Sequence, residues 1–273
     1  MKKLYEIPFL RKLVLPLLQR VMSRDIRIRH HWTGDKITLN AFKHKGYWYH
    51  GKKRELKSMA LFSQLASPGD FVMEVGGHIG YISVHYAHLI GATGRLIVFE
   101  PAPCNLPYLR KNTMANPCIR IVEKAVSDFT GSAKLHVESL TGQNNSLLPN
   151  YRTFQENAKR AFVDTDQDVV EVPCITLDDF LAEEQLQPPS FIKIDVEGAE
   201  LQVLKGMKII LKKNDVALMV EVTENAKEVI RLLKDAGYLI FRPDLRPVEE
   251  VKGMVGNVFC LKHSDVRVKF FYS

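Results

Sequence analysis

Phe71-Val-Met-Glu-Val-Gly-Gly-His-Ile-Gly80, followed one helix-length later by Ile97-Val-Phe-Glu-Pro101, decides the fold of this chain. A short apolar run ends in an acidic residue, Glu74, and a glycine-rich turn follows it. A segment of helical period then leads to a second apolar run, which ends at Glu100. This is the pattern of a βαβ unit built around a nucleoside. Gly76 and Gly80 let the backbone pass close to a ligand without Cβ clashes. A carboxylate at the tip of the second strand can accept both hydroxyl hydrogens of a ribose.

The glycine spacing narrows the nucleoside. The dinucleotide fingerprint G-x-G-x-x-G, started at Gly76, requires glycine at His78 and again at Tyr81, and neither is present. The chain instead has Glu74-x-Gly76-x-x-x-Gly80, the acidic-first spacing of S-adenosylmethionine (SAM) sites. With no pyrophosphate to cradle, the loop can carry a residue as bulky as His78. In this reading Glu74 faces the amino-acid end of the cofactor, and the Gly76–Gly80 backbone runs alongside it.

The 273 residues suit one α/β domain with an elaborated end. Lys+Arg 38 against Asp+Glu 31 gives a net charge of +7, a mild basic excess compatible with an anionic substrate, a membrane surface or nucleic acid. Cys104, Cys118, Cys174 and Cys260 have neither C-x-x-C nor metal-ligand spacing, as expected of reduced thiols in a cytoplasmic protein. The N-terminus lacks a signal-peptide pattern, and Pro16 interrupts its longest apolar stretch. Met1 to about Arg24 carries a helical apolar stripe through Leu10, Leu13, Val14, Leu17, Leu18, Val21 and Met22. That stripe suits packing on the domain itself, on a partner, or peripherally on a membrane.

Asp25 to about Gly51 reads as short β-structure, with Ile26 and Ile28 alternating before the Thr33-Gly34-Asp35 turn and Ile37 and Leu39 after it. This stretch is rich in aromatic and histidine residues, among them Trp48 and His50, which suit contact with a polar cyclic ligand. From Pro68 strands and helices alternate. Strands are expected at Phe71–Val75, Leu96–Phe99, Ile119–Val122, Lys134–Val137, Phe191–Ile194, Leu218–Val222, Leu239–Phe241 and Asn257–Leu261. Helices are expected at Tyr81–Ile90, Leu106–Asn116, Ala199–Leu211 and Ala226–Ala236, with a long polar loop from Glu138 to about Val169. Such alternation implies a mostly parallel sheet with right-handed crossovers, and a ligand at the carboxyl ends of its strands. Glu74, Glu100, Asp195 and Glu221 all fall at that edge. The sequence divides into an N-terminal helical and β extension, 1–60, and an α/β domain, 61–273.

The spaced blocks resemble the FkbM-type SAM-dependent methyltransferases over about Ala60 to Lys262. They are Glu74-Val-Gly-Gly-His-Ile-Gly-Tyr-Ile-Ser83, Phe99-Glu-Pro-Ala-Pro-Cys-Asn105, Ala125-Val-Ser-Asp128 with Gly131, and Thr176-Leu-Asp-Asp179. The most specific is Ile192-Lys-Ile-Asp-Val-Glu-Gly-Ala-Glu200, followed by Val203-Leu-Lys-Gly206. The family usually has Asp where Glu74 stands and Ala-Asn where Gly77-His78 stand. The resemblance implies a Rossmann-like seven-stranded sheet, mostly parallel, with an antiparallel C-terminal hairpin. It also implies methyl transfer to oxygen, commonly on sugar or natural-product hydroxyls. Carried over, it sets Glu74, Gly76, Gly77, His78 and Gly80 at the methionine end, Glu100 and Pro101 at the ribose, and Ser127 or the Ala125 backbone, with Asp128, near the adenine.

A general base for an alcohol nucleophile is expected first at Asp195, which also borders the cofactor, then at Glu197, which could instead cap the following helix, and third at Glu221. Strand-end carboxylates of this kind hold a divalent metal in catechol-type O-methyltransferases, a second role open to Asp195 and Glu221. Asn145 or Ser146, in the polar loop, is expected to touch the small-molecule or glycan acceptor, together with Trp48 and His50. Two other readings compete. A nucleic-acid methyltransferase fits the positive charge, but base-amine methylation normally uses an Asn/Asp-Pro-Pro-aromatic motif where this chain has Asp195-Val-Glu-Gly198. A non-catalytic SAM- or partner-binding module is the other.

Overall fold

The computed structural model describes residues 20–138, 144–149, 151, 168–213, 215–249 and 255–272. The stripe of Met1–Arg24 and the polar loop therefore lie mostly outside the described residues. An antiparallel hairpin, β1 (Asp25–Arg29) and β2 (Lys36–Asn40), opens the described chain, followed by helices α1 (Lys45–His50) and α2 (Leu56–Leu65). The α/β alternation then runs β3 (Phe71–Val75), α3 (Tyr81–Ile90), β4 (Arg95–Phe99), α4 (Leu106–Thr113) and β5 (Ile119–Val122). β6 (Ala125–Val126), β7 (Gly131–Val137) and β8 (Asp168–Ile175) form a separate three-stranded sheet in the order β6-β8-β7. After α5 (Leu177–Glu183) come β9 (Phe191–Ile194), α6 (Glu200–Lys205), α7 (Lys208–Lys213), β10 (Ala217–Val222) and α8 (Ala226–Asp235). The chain closes with β11 (Tyr238–Phe241), β12 (Gly256–Lys262) and the short α9 (Val268–Phe271).

The central sheet has seven strands in the order β11-β12-β10-β9-β3-β4-β5. Every neighbouring pair from β10 to β5 is parallel, and β12 runs antiparallel to both β10 and β11. Strand order reverses between β3 and β9, so the first and fourth strands of the parallel series lie side by side and open a crevice at their carboxyl ends. Side chains alternate between two buried faces. Met73, Val75, Ile97, Phe99, Ile192 and Val220 pack against α5 to α8, whereas Val72, Val98, Phe191 and Met219 pack against α2, α3 and α4. Burial on both faces explains why these strands read as continuous apolar runs.

Three expectations need correction. Segment 45–50 is helical rather than β, because Tyr47 is turned inward on that helix, its ring 4.8 Å from that of Tyr81. The single helix expected over Ala199–Leu211 is two, separated at Gly206. A Cβ there would lie 2.0 Å from the Ser127 carbonyl oxygen, so the chain crosses β6 at backbone distance. Strand β8 falls where the sequence suggested only the end of a loop, and Pro173 within it obscures the strand signal.

Candidate functional site

The glycine turn after β3 is held by main-chain contacts. The Gly76 and Gly77 amides both donate to the Phe99 carbonyl oxygen at 3.0 Å, tying the turn to the end of β4. Gly76 has φ +90°, and a Cβ added there would lie 1.8 Å from the Asp195 carbonyl oxygen. Only glycine fits between β3 and β9 at this point. His78 follows with φ +48°, and Gly80 caps α3.

Glu100, at the end of β4, is buried. It accepts from the His78 amide at 2.6 Å, the Ala102 amide at 2.9 Å and the Asn105 side-chain amide at 3.2 Å. Three donors leave a carboxylate with one of its roughly four acceptor positions. Burial raises its pKa to about 7, against the pull of those donors. Glu74 projects the other way, into the layer under α3. There it accepts from the Ser83 hydroxyl at 2.5 Å and lies 3.4 Å from the Lys193 ammonium. Lys193 stands opposite Glu74 in the β3–β9 register and is itself buried. It also reaches Asp195 at 3.0 Å and donates to the Gly76 carbonyl oxygen at 3.2 Å.

Asp195, Glu197 and Glu221 converge, with one carboxylate oxygen from each lying within 4.8 Å of the others. Three carboxylates this close cannot all hold full charge without a compensating cation. Burial opposes ionisation of Asp195, but Lys193 and a hydrogen bond with Glu221 outweigh it and bring its pKa down to about 2. The neighbouring Asp195 charge, then burial, drives Glu221 well above the usual carboxyl range. Burial, then Asp195, raises Glu197 to about 8, against a 2.5 Å hydrogen bond from the Tyr151 hydroxyl. This trio has the donor set to hold a hard divalent cation, or to hold a proton between Asp195 and Glu221.

A cavity of about 370 Å³ runs along the carboxyl edge of the sheet. It is bounded by Gly76, His78, Glu100 and Pro101 on one side and by Asp195, Glu197 and Glu221 on another. A smaller cavity of about 40 Å³ adjoins Glu74, Gly76, Gly77, His78 and Lys193. The structure thus brings together most of the residues singled out in the sequence. Asn145 borders the cavity, its side-chain oxygen accepting from the Glu138 amide at 2.8 Å.

Five expected contacts fall elsewhere. Ser146 is buried and donates its hydroxyl to the Glu197 carbonyl oxygen at 2.7 Å, so it braces the loop behind the carboxylates. Trp48 turns back on its own segment, its indole N–H donating to the Ala41 carbonyl oxygen at 2.8 Å, and His50 is exposed on α1. Ser127 is buried beyond the cavity wall and Asp128 is exposed; the wall itself is Lys124, Ala125 and Val126.

A family model described as "Methyltransferase FkbM domain" matches residues 74–240. The chain belongs to the FkbM family of SAM-dependent methyltransferases. It is 28% identical over 193 residues to 31-O-demethyl-FK506 methyltransferase FkbM of Streptomyces tacrolimicus, covering 63% of this chain and 74% of that one. It is 23% identical over 178 residues to the hexuronic acid methyltransferase AglP of Haloferax volcanii, covering 64% and 66% respectively. Among solved structures, a methyltransferase FkbM from Methylobacillus flagellatus is similar at 16% identity and a TM-score of 0.45. That likeness covers 73% of this chain and 47% of the other.

The FkbM match begins at residue 74, so Tyr47, Arg54 and Glu55, which also border the cavity, precede it. In sequence Lys52-Lys53-Arg54-Glu55 has the look of a solvated charge run, and nothing in it marks a pocket wall. Tyr151 was hidden in the polar loop. Asn105, in contrast, closes the Phe99–Asn105 block and was within reach as a partner for Glu100. Among the described residues no helix is long and apolar enough to cross a membrane.

Proposed function

We propose that this FkbM-family protein transfers a methyl group from SAM to a hydroxyl oxygen of a small polar acceptor, such as a sugar or a hydroxylated natural product. The observation that carries this reading is the carboxylate trio Asp195, Glu197 and Glu221 at the wall of the same cavity that Gly76 and Glu100 border. The cavity fits the cofactor's chemistry. At about 370 Å³ it lies in the range of small-ligand pockets. Its acid-rich wall suits a ligand carrying a sulfonium and an ammonium. His78 also leaves a buried Nε2 without a partner among the described residues.

In this reading Glu100 accepts from the ribose, and Gly76, Gly77, His78 and Glu74 surround the methionine end. Ala125, one of the expected adenine neighbours, and Val126 form the adenine wall, without Ser127 and Asp128. Bound SAM supplies an electrophilic methyl group on a positively charged sulfur. The remaining work belongs to the chain's own residues. They align the acceptor oxygen with that methyl group, exclude water, and take up the hydroxyl proton, with positioning contributing most of the rate.

Glu197 is the best candidate for the proton acceptor. Its raised pKa of about 8 lies near that of an effective base, whereas Asp195, at about 2, is ionised but weakly basic. Tyr151 and Ser146 hold Glu197 in place through its carboxylate and its carbonyl oxygen. The names of the relatives, one acting on 31-O-demethyl-FK506 and one on hexuronic acid, support an oxygen acceptor on a hydroxylated molecule. The test is transfer of labelled methyl from SAM to a panel of hydroxylated glycosides and polyols, followed by mild alkali. Alkali-stable methyl ethers are expected. Label that is released as a volatile ester product, or that appears only on amines, would overturn the assignment to a hydroxyl.

A further inference from the structure

Arg54 borders both cavities; Glu55, Asp195 and Glu221 lie within its electrostatic reach, but among the described residues Glu55 is its one ion-pair partner. Its guanidinium stacks 4.4 Å from the centre of the Tyr47 ring, and its Nε lies 3.5 Å from Glu55. Among the described residues its two terminal nitrogens make no hydrogen bond. A fork of donors with one ion-pair partner, at 3.5 Å, 27% exposed and bordering a cavity, has the geometry to receive an anion.

The surroundings say which anion needs it. The small cavity is ringed by Glu74, Glu55 and Asp195, and any carboxylate entering it meets like charge. The other cations at the cavities have different duties. Lys193 is committed to Glu74, Asp195 and the Gly76 carbonyl oxygen. Lys124 borders only the larger cavity, on the wall with Ala125 and Val126. Tyr47 couples Arg54 to the glycine turn, because its hydroxyl is 2.9 Å from His78 Nδ1. The methionine end of SAM carries both an ammonium and a carboxylate. Glu74, Asp195 and the Gly76 carbonyl oxygen suit the ammonium; Arg54, whose one ion-pair partner among the described residues is Glu55 at 3.5 Å, suits the carboxylate.

We propose that Arg54 binds the α-carboxylate of the cofactor's methionine end. The segment ahead of the family domain, assigned above by sequence to the acceptor, then completes the cofactor pocket. This rests on the reading of the cavity as a SAM site. The same fork would equally receive a carboxylate on the acceptor, so the test must separate the two sources.

The experiment is calorimetric titration of the full chain with S-adenosylhomocysteine and with its decarboxylated analogue, which keeps the ammonium. Wild-type protein is expected to bind the carboxylate-bearing ligand at least tenfold more tightly, the scale of a charge-assisted hydrogen bond. Arg54→Gln is expected to lose that preference, weakening S-adenosylhomocysteine about ten- to hundredfold while leaving the analogue unchanged, and Arg54→Lys should keep part of it. Unchanged S-adenosylhomocysteine affinity in Arg54→Gln would overturn the proposal and return Arg54 to the acceptor. Equal weakening of both ligands would also overturn it, since that is the signature of a merely structural charge. Should Arg54→Gln fail to fold, equal wild-type affinity for the two ligands decides against the proposal without any variant. Wild-type protein that is folded but binds neither ligand would instead defeat the cofactor reading itself.

Discussion

Replacing Lys193 by Met tests whether one buried ammonium holds the strand ends together. Lys193 lies 3.4 Å from Glu74 and 3.0 Å from Asp195, with the lysine and Glu74 side chains both 1% exposed. At an effective dielectric of about 20, each contact is worth about 5 kcal/mol of Coulomb energy before desolvation is subtracted. Methionine fills similar volume, so the packing loss is small and the main cost is two acidic groups left without their cation. Breaking a buried pair from one side typically costs about 3–5 kcal/mol. The two carboxyls can escape part of that cost by protonating. Without Lys193 their folded-state pKa values rise, so the folded variant holds protons that the unfolded chain releases, and its stability falls as pH increases. Urea denaturation followed by circular dichroism should therefore show a loss of about 3–5 kcal/mol at pH 8 and a clearly smaller one at pH 5.5. Each unit of upward shift inside that window recovers about 1.4 kcal/mol. A loss below about 1 kcal/mol at both pH values, or an equal loss at both, would refute the reasoning.

Glu100→Ala should weaken S-adenosylhomocysteine by about 1.5–3 kcal/mol in a calorimetric titration, through loss of a charged acceptor; unchanged affinity would remove the ribose assignment. Gly76→Ala should bind no cofactor and lose several degrees of melting temperature, because its Cβ would lie 1.8 Å from the Asp195 carbonyl oxygen. Turnover at low substrate should rise with pH and level off above about 8 as Glu197 loses its proton, and Glu197→Gln should flatten that rise. The cofactor-free protein should become less stable between pH 6.5 and 8. Glu100 and Glu200, raised by burial to about 7, and Glu197, raised to about 8, hold protons when folded that the unfolded chain releases. Asp195 and the buried His30, His44 and His85, the last three held down to about 4, work in the opposite direction, but the histidines' contribution is lost only as pH falls below about 6.5 and that of Asp195 only towards about 2, outside that window. Thermal melts across the range check the sign.

The central sheet was legible because its strands are buried on both faces and stand between helices of clear period. Phe71–Val75, Ile119–Val122 and Phe191–Ile194 occur where their apolar runs put them. The carboxyl edge followed from that order, and with it the meeting of Glu100, Asp195 and Glu221 at one cavity. What the sequence hid was tertiary. Glu74 was expected to face a ligand and borders the smaller cavity, but its carboxylate is also engaged by Ser83 and Lys193, a cross-strand pairing that no local pattern announces. Arg54 and Tyr47 reach the cavity only because α1 folds back over α3, from a segment whose alternation suggested a strand. Ser146 lay in the right loop, but its hydroxyl is spent on the backbone behind Glu197. Side-chain direction within a polar loop depends on what the loop lands on.

Titration of the folded, full-length protein with S-adenosylhomocysteine, with NAD as the control, tests most directly whether this cavity holds a SAM-type cofactor. Saturable one-to-one binding of S-adenosylhomocysteine alone, abolished or strongly weakened by Glu100→Ala, is the predicted result. Absence of binding by the folded protein, or binding indifferent to Glu100, would contradict the account.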